Sequence, residues 1–291
     1  MLGDALRLAA AGTVELPGWG NVSNMTHVRF DRCNSNGRVN GIFFSPDGTK
    51  LFTIDSSTDR IEETHLSTAW DISTHGGLVR SLTTNSTHNP DPNSLYISPD
   101  GTKLFTCNLS LGTFNQKDAV VRYNLPNAWS LQGATYNSRK LLSQTDSSHQ
   151  LPMSVFFKPD GLKMFVFDQS PDRMYSYTAG TAWDLSSFGN QQKTASIINT
   201  STGFSGQFWH PDGVRCYLVG TVLDTVYQYN VSSAWGLGGI ANNAQDSTFS
   251  VAAQESEPVS IYISPNGRHV YIGGQVGQGI DQYSLDGTGA P

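Results

Sequence analysis

The sequence is short of charge. Lys, Arg, Asp and Glu make up only 14% of its 291 residues, and their balance is acidic, −6 at neutral pH. A protein that grips nucleic acid through phosphates needs a basic stripe, and none runs through this chain. Cysteine is scarcer still: Cys33, Cys107 and Cys216 are odd in number and scattered. That count argues against a disulfide-stapled secreted scaffold and predicts three buried thiols. There is no G-x-S-x-G elbow, no phosphate-binding glycine loop and no zinc-type histidine spacing, and no Cys–His cluster is expected. The Asp55…Asp59 and Asp168…Asp172 pairs lack the alternating oxygen ligands and turn glycine of a calcium loop, and read as structural turns. No cofactor or resident metal is expected.

Repetition is what the chain has in quantity. Ser45-Pro46-Asp47-Gly48-Thr49-Lys50-Leu51-Phe52 returns around Pro99, Pro159, Pro211 and Pro265, at spacings of 53, 60, 52 and 54 residues. A fixed period of this size signals a repeat architecture. Each unit opens with a short apolar run, such as Ile42-Phe43-Phe44 or Leu95-Tyr96-Ile97, which reads as a strand buried on both faces. Pro-Asp-Gly then makes a tight turn: proline presets φ, aspartate bonds its own backbone and glycine takes the positive-φ position. A second strand follows at once. A polar loop ends in Asp59, Asp118, Asp172 or Asp224, a third strand follows, and then Ala-Trp with Trp70, Trp129, Trp183 or Trp235. A more polar fourth strand closes the unit, for instance 79–83 or 196–199.

Four short strands with one buried aromatic make a propeller blade, so the sequence predicts an all-β, five-bladed β-propeller of four-stranded blades. The last unit ends before its tryptophan and fourth strand. Trp19 and the stretch from Thr26 to Asp31 supply them at the other end of the chain, so the N-terminal strand is predicted to complete the last blade and lock the ring. This single domain spans residues 13–291. Loops joining second to third strands share one face with the segments entering each first strand. Binding is expected on that variable face, where His88, Asp91, His149, Gln150, Glu255 and Glu257 are the candidate ligand residues.

Residues 1–12 stand outside the repeat and have helix-forming composition, ending at Gly12. An acid in place of a basic opening, and Arg7 inside the apolar stretch, argue against a signal peptide or membrane insertion. A short helix or tail is expected, docking on a partner through Leu2, Leu6, Leu8 and Ala9.

The S-P-D-G-T-K-L-F … V-Y-Q-Y … A-W-D-L units resemble the propeller repeats widespread in marine bacterial and bacteriophage proteins, related in pattern to WD-repeat and YVTN-type propellers. The opening M-L-G-D-A-L-R-L-A-A-A-G is similar to those of phage tail and virion proteins. Together these resemblances imply a non-catalytic virion protein. It would dock on other virion proteins through its N-terminus and present the propeller as a decoration or tail-fibre element for host attachment, to a receptor or glycan. Two alternatives stand beside it: a bacterial surface or extracellular glycan-binding propeller, and a lactonase-like or glycan-cleaving hydrolase.

Overall fold

A computed structural model describes residues 19–285, except 34–36, 56, 85–90, 109–117, 144–148, 150, 171, 195–196, 198–202 and 242. The described chain forms five antiparallel four-stranded sheets. The blades run Gly41–Phe44, Lys50–Asp55, Arg60–Leu66 and His75–Thr83; Pro92–Ile97, Lys103–Asn108, Ala119–Asn124 and Thr135–Leu141; Pro152–Phe157, Lys163–Asp168, Arg173–Ala179 and Phe188–Lys193; and Phe204–Trp209, Arg215–Gly220, Thr225–Asn230 and Ser247–Ser250. The fifth has Pro258–Ile263, His269–Gly274 and Ile280–Ser284, and takes its outer strand, Thr26–Asp31, from the start of the chain. Thr26 lies opposite Ser284 and Asp31 opposite Ile280, which closes the ring as predicted. The fourth strand of the third blade is Phe188–Lys193, earlier than the predicted 196–199. The reason is local: Asp184 caps the single 3-10 turn Leu185–Ser187, and pairing resumes directly after it. The three cysteines are free and buried, as expected.

The Pro-Asp-Gly turn and the tryptophan form one device. In the first blade the Gly48 amide donates to Ser45 O (2.9 Å), and the Thr49 amide donates to the Asp47 carboxylate (3.1 Å). Gly48 sits at φ +71°, and the Trp70 ring lies where its side chain would be. Trp70 is itself left-handed (φ +67°), with its amide bonded to Gly48 O at 3.0 Å. Trp129, Trp183 and Trp235 repeat the arrangement on Gly101, Gly161 and Gly213, and Trp19 lies over Gly267. The tryptophan thus fastens the far side of each blade to the turn between its two inner strands. Gly161→Ala puts a Cβ 2.3 Å from Trp183 Cε2 at φ +73°. It is expected to cost about 2–4 kcal/mol through strain and overpacking, read as a lowered urea midpoint at unchanged m. An unchanged midpoint would mean that the clasp does not hold the blade.

The tryptophan carbonyls form a belt between blades. Lys50 Nζ of the first blade donates to Trp129 O of the second (2.9 Å), and Arg122 Nη1 of the second to Trp183 O of the third (3.1 Å). Lys163 Nζ donates to Trp235 O (2.7 Å) and Arg215 Nη1 to Trp19 O (3.4 Å). The last join uses neutral donors: Tyr271 Oη and Gln282 Nε2 reach Trp70 O at 2.6 and 3.1 Å.

Candidate functional site

The axis of the ring is plugged. Phe43, Tyr96, Phe156, Phe208 and Tyr262 occupy the same repeat position, three residues before each turn proline. Their rings meet edge to face around a closed circuit, with centroids 5.2, 5.2, 5.5, 5.4 and 5.2 Å apart. That spacing and tilt are the preferred aromatic pair geometry. Two residues upstream the repeat places Gly41, Ser94, Ser154, Gly206 and Ser260, all small, which leaves a well above the aromatic floor. Its cavity of about 30 Å³ holds one or two waters. A sugar-sized molecule therefore has to lie across the mouth instead of down the axis.

The mouth is where the second-to-third-strand connections and the segments entering the first strands come together. Asp59, Asp118, Asp172 and Asp224 recur there in left-handed conformation, φ 53°, 57°, 59° and 46°. Aspartate tolerates this region better than most residues, which explains its recurrence at the turn. The third blade adds chemistry to the turn. Asp168, fully buried at the end of its second strand, accepts from His149 Nδ1 (2.9 Å), the Leu151 amide (2.9 Å) and the Ser170 amide (3.1 Å). His149 Nε2 meets Tyr177 Oη at 2.6 Å, and its ring lies 3.9 Å from that of Tyr175. Asp172 stands beside this chain, half-buried, and among the described residues its Oδ1 has no hydrogen-bond partner. Burial first, and then the Asp168 charge, push its carboxyl up to about 6. A carboxylate tuned to that range is suited to general-base work near neutral pH.

Of the six candidate ligand residues, the four described ones, Asp91, His149, Glu255 and Glu257, lie in three inter-blade connections. His149 and Glu255 hold the same repeat position, ten residues before the turn proline, and both are buried latches. His149 is secured by Asp168. Glu255 accepts from the Glu257 and Gly277 amides, each at 2.8 Å, and from Val276 at 3.3 Å. Its carboxyl carbon lies 2.1 Å from where a Gly274 Cβ would sit, so the loop acid takes the space left by a strand glycine. Asp91 is exposed at φ 47°, and its amide donates to the Asp59 carboxylate at 3.0 Å. Burial and Asp59 raise its carboxyl. Glu257 is exposed, near Asp224. His88, Gln150 and the docking candidates Leu2, Leu6, Leu8 and Ala9 fall outside the described residues. Asp172 drew attention in the sequence only as a turn residue, because its environment comes from His149 and Asp168.

The family model "Lactonase, 7-bladed beta-propeller" matches residues 31–290. No curated protein matches the chain. Among solved structures, the luciferin-regenerating enzyme is 11% identical, with 91% of this chain and 94% of that one covered at a TM-score of 0.53. The periplasmic gluconolactonase of Pseudomonas aeruginosa is 17% identical over 87% of this chain and 74% of its own, at 0.48. A candidate 6-phosphogluconolactonase of Bacteroides fragilis is 16% identical over 89% and 69%, also at 0.48. At 11% identity the first of these likenesses speaks for the fold alone.

The family match overturns the virion reading. That reading rested on the resemblance of the repeats to bacteriophage propellers and on a twelve-residue opening outside them, whereas the lactonase family model matches residues 31–290. With it fall the assignments as a non-catalytic tail-fibre, decoration or host-attachment protein, and the placement on a phage particle. The blade count also departs from the family's description, since about 54 residues per unit in the matched span accommodate five blades. The chain belongs to the lactonase β-propeller family, as a member with five blades where the family's description has seven.

Proposed function

We propose that this protein is a lactonase-like hydrolase that opens a small, uncharged cyclic ester at the mouth of the propeller. The observation that carries the reading is the family match over residues 31–290, and Asp172 gives it a residue able to act. As general base, the Asp172 carboxylate takes a proton from water as that water adds to the ester carbonyl. The ring C–O bond then breaks, and the proton passes to the departing alkoxide, giving a hydroxy acid. Asp168, held by His149, keeps the base poised by its charge. Asp59, Asp91, Asp224 and Glu257 around the same mouth disfavour an anionic substrate, so a neutral lactone is preferred to a phosphorylated one.

The test is hydrolysis of a panel of five- and six-membered lactones, neutral and phosphorylated, followed by proton release. Turnover above the uncatalysed rate, greater for neutral than for phosphorylated members, is expected. Absence of turnover across the panel would end this reading. A preference for phosphorylated lactones would overturn the substrate charge inferred here while leaving the reaction in place.

A further inference from the structure

Ring closure brings together three residues that the sequence keeps apart. Asp31 ends the outer strand of the fifth blade, Cys33 follows it, and His75 begins the outer strand of the first blade. Ligand atoms of all three lie within 4.8 Å of one another. His75 Nε2 is 3.0 Å from the Asp31 carboxylate. Four tetrahedral donors around zinc stand about 3.4–3.8 Å apart, given metal–ligand lengths of about 2.0–2.3 Å. Small shifts, opening the His75–Asp31 pair and closing the remaining gaps, would let the trio share one ion.

The surroundings favour this. The Cys33 backbone is pinned by Thr64 Oγ1 (3.1 Å to Cys33 O), and its Sγ makes a long contact to Ile72 O, 3.6 Å. Among the described residues, no hydrogen-bond partner meets the buried His75 Nδ1. Asp31 and His75 side chains are each 25% exposed, which leaves a path for an ion and room for a water as a fourth ligand. The neighbouring Arg29 is engaged elsewhere, with Asp71 and Ser73, and does not fill the site.

We infer that Asp31, Cys33 and His75 form a binding site for a zinc-type divalent cation that staples the N-terminal strand to the first blade. A thiolate, an imidazole and a carboxylate suit a borderline-soft ion of this kind better than calcium or magnesium. The site lies on the outer seam between the fifth and first blades, and the inference is independent of the hydrolase reading. Because only the closed ring assembles the ligands, binding stabilises that state over any in which the N-terminal strand has come away.

The experiment is cobalt(II) titration of the full chain freed of metal by chelator, with zinc competition. One equivalent is expected to bind with a thiolate-to-cobalt absorption band in the near ultraviolet, removed by zinc. Cys33→Ser should abolish the band and weaken zinc binding roughly 100-fold. His75→Gln should weaken zinc similarly, and Cys107→Ser should change neither. Zinc should raise the melting temperature of the parent and of Cys107→Ser but not of Cys33→Ser. No stoichiometric cobalt in the parent, or a band that survives Cys33→Ser, would overturn the site and leave a plain Asp31–His75 ion pair beside a buried thiol.

Discussion

Replacing Asp172 with asparagine is expected to cut lactone turnover about 100-fold or more while leaving the protein at least as stable as the parent. The first effect follows from losing the base, since general-base assistance contributes about 10²–10⁴ in rate. In the parent, kcat/KM should fall on the acid side of about pH 6, as the Asp172 carboxylate takes up its proton. The residual activity of Asp172→Asn should lack that limb. The second effect follows from linkage. Asp172 holds its proton more tightly in the folded chain than in the unfolded one, so between its ordinary value of 3.8 and about 6 the folded state binds more protons. Stability attributable to this residue is therefore highest at low pH and declines as pH rises through that window. For a fully buried group the decline would approach 3 kcal/mol, and solvent screening at this partly exposed site reduces it to about 1 kcal/mol. The asparagine side chain carries no charge to bury and accepts the left-handed backbone, so the variant should gain that amount at pH 7. Activity and stability moving in opposite directions separate a catalytic role from damage to the fold. Unchanged kcat/KM with an intact acid limb would remove Asp172 from the mechanism.

Deleting residues 1–31 should abolish cooperative folding. The deletion strips the outer strand from the fifth blade and bares the edge of Ile280–Ser284. It also removes Trp19, Val22 and Met25, which are almost wholly buried. Loss of a buried tryptophan alone costs about 3–5 kcal/mol, and the missing strand adds to it, against a total stability of about 5–15 kcal/mol for a typical domain. An unpaired edge also invites association with other chains. The expected product is a soluble aggregate by size exclusion, with no sigmoidal thermal transition by circular dichroism. The milder Trp19→Ala should keep the transition and lower its midpoint by several degrees. A truncated chain that melts cooperatively near the parent temperature would show that closure is dispensable.

The blade pattern was legible in the sequence because its determinants are local. Pro46-Asp47-Gly48 and Trp70 lie within 25 residues of one another, and their geometry repeats with the motif. Closure could be read from arithmetic, since Trp19 fills the position the fifth unit lacks. The candidate site was less legible. His149 and Glu255 share a repeat position yet differ in chemistry, and whether either faces a ligand depends on a residue elsewhere: Asp168 for one, the bare Cα of Gly274 for the other. Asp172 resembles its turn counterparts in every local respect and differs by its neighbours. Asp31 and His75 are separated by 44 residues and meet only across the closing seam. The virion reading had no such determinant: neither the likeness of the repeats nor that of the twelve-residue opening specifies what a propeller does.

The belt of tryptophan carbonyls bears on how such a molecule changes over evolutionary time. Every joint is directional, a donor on one wedge handed to an acceptor on the next, so none of them records how many wedges the circle holds. A gene that gains or loses a whole unit keeps each handshake intact and has only to open or tighten the wedge angle. Kinship between a five-membered circle and a family described with seven then requires no refolding, only recombination at the repeat boundary.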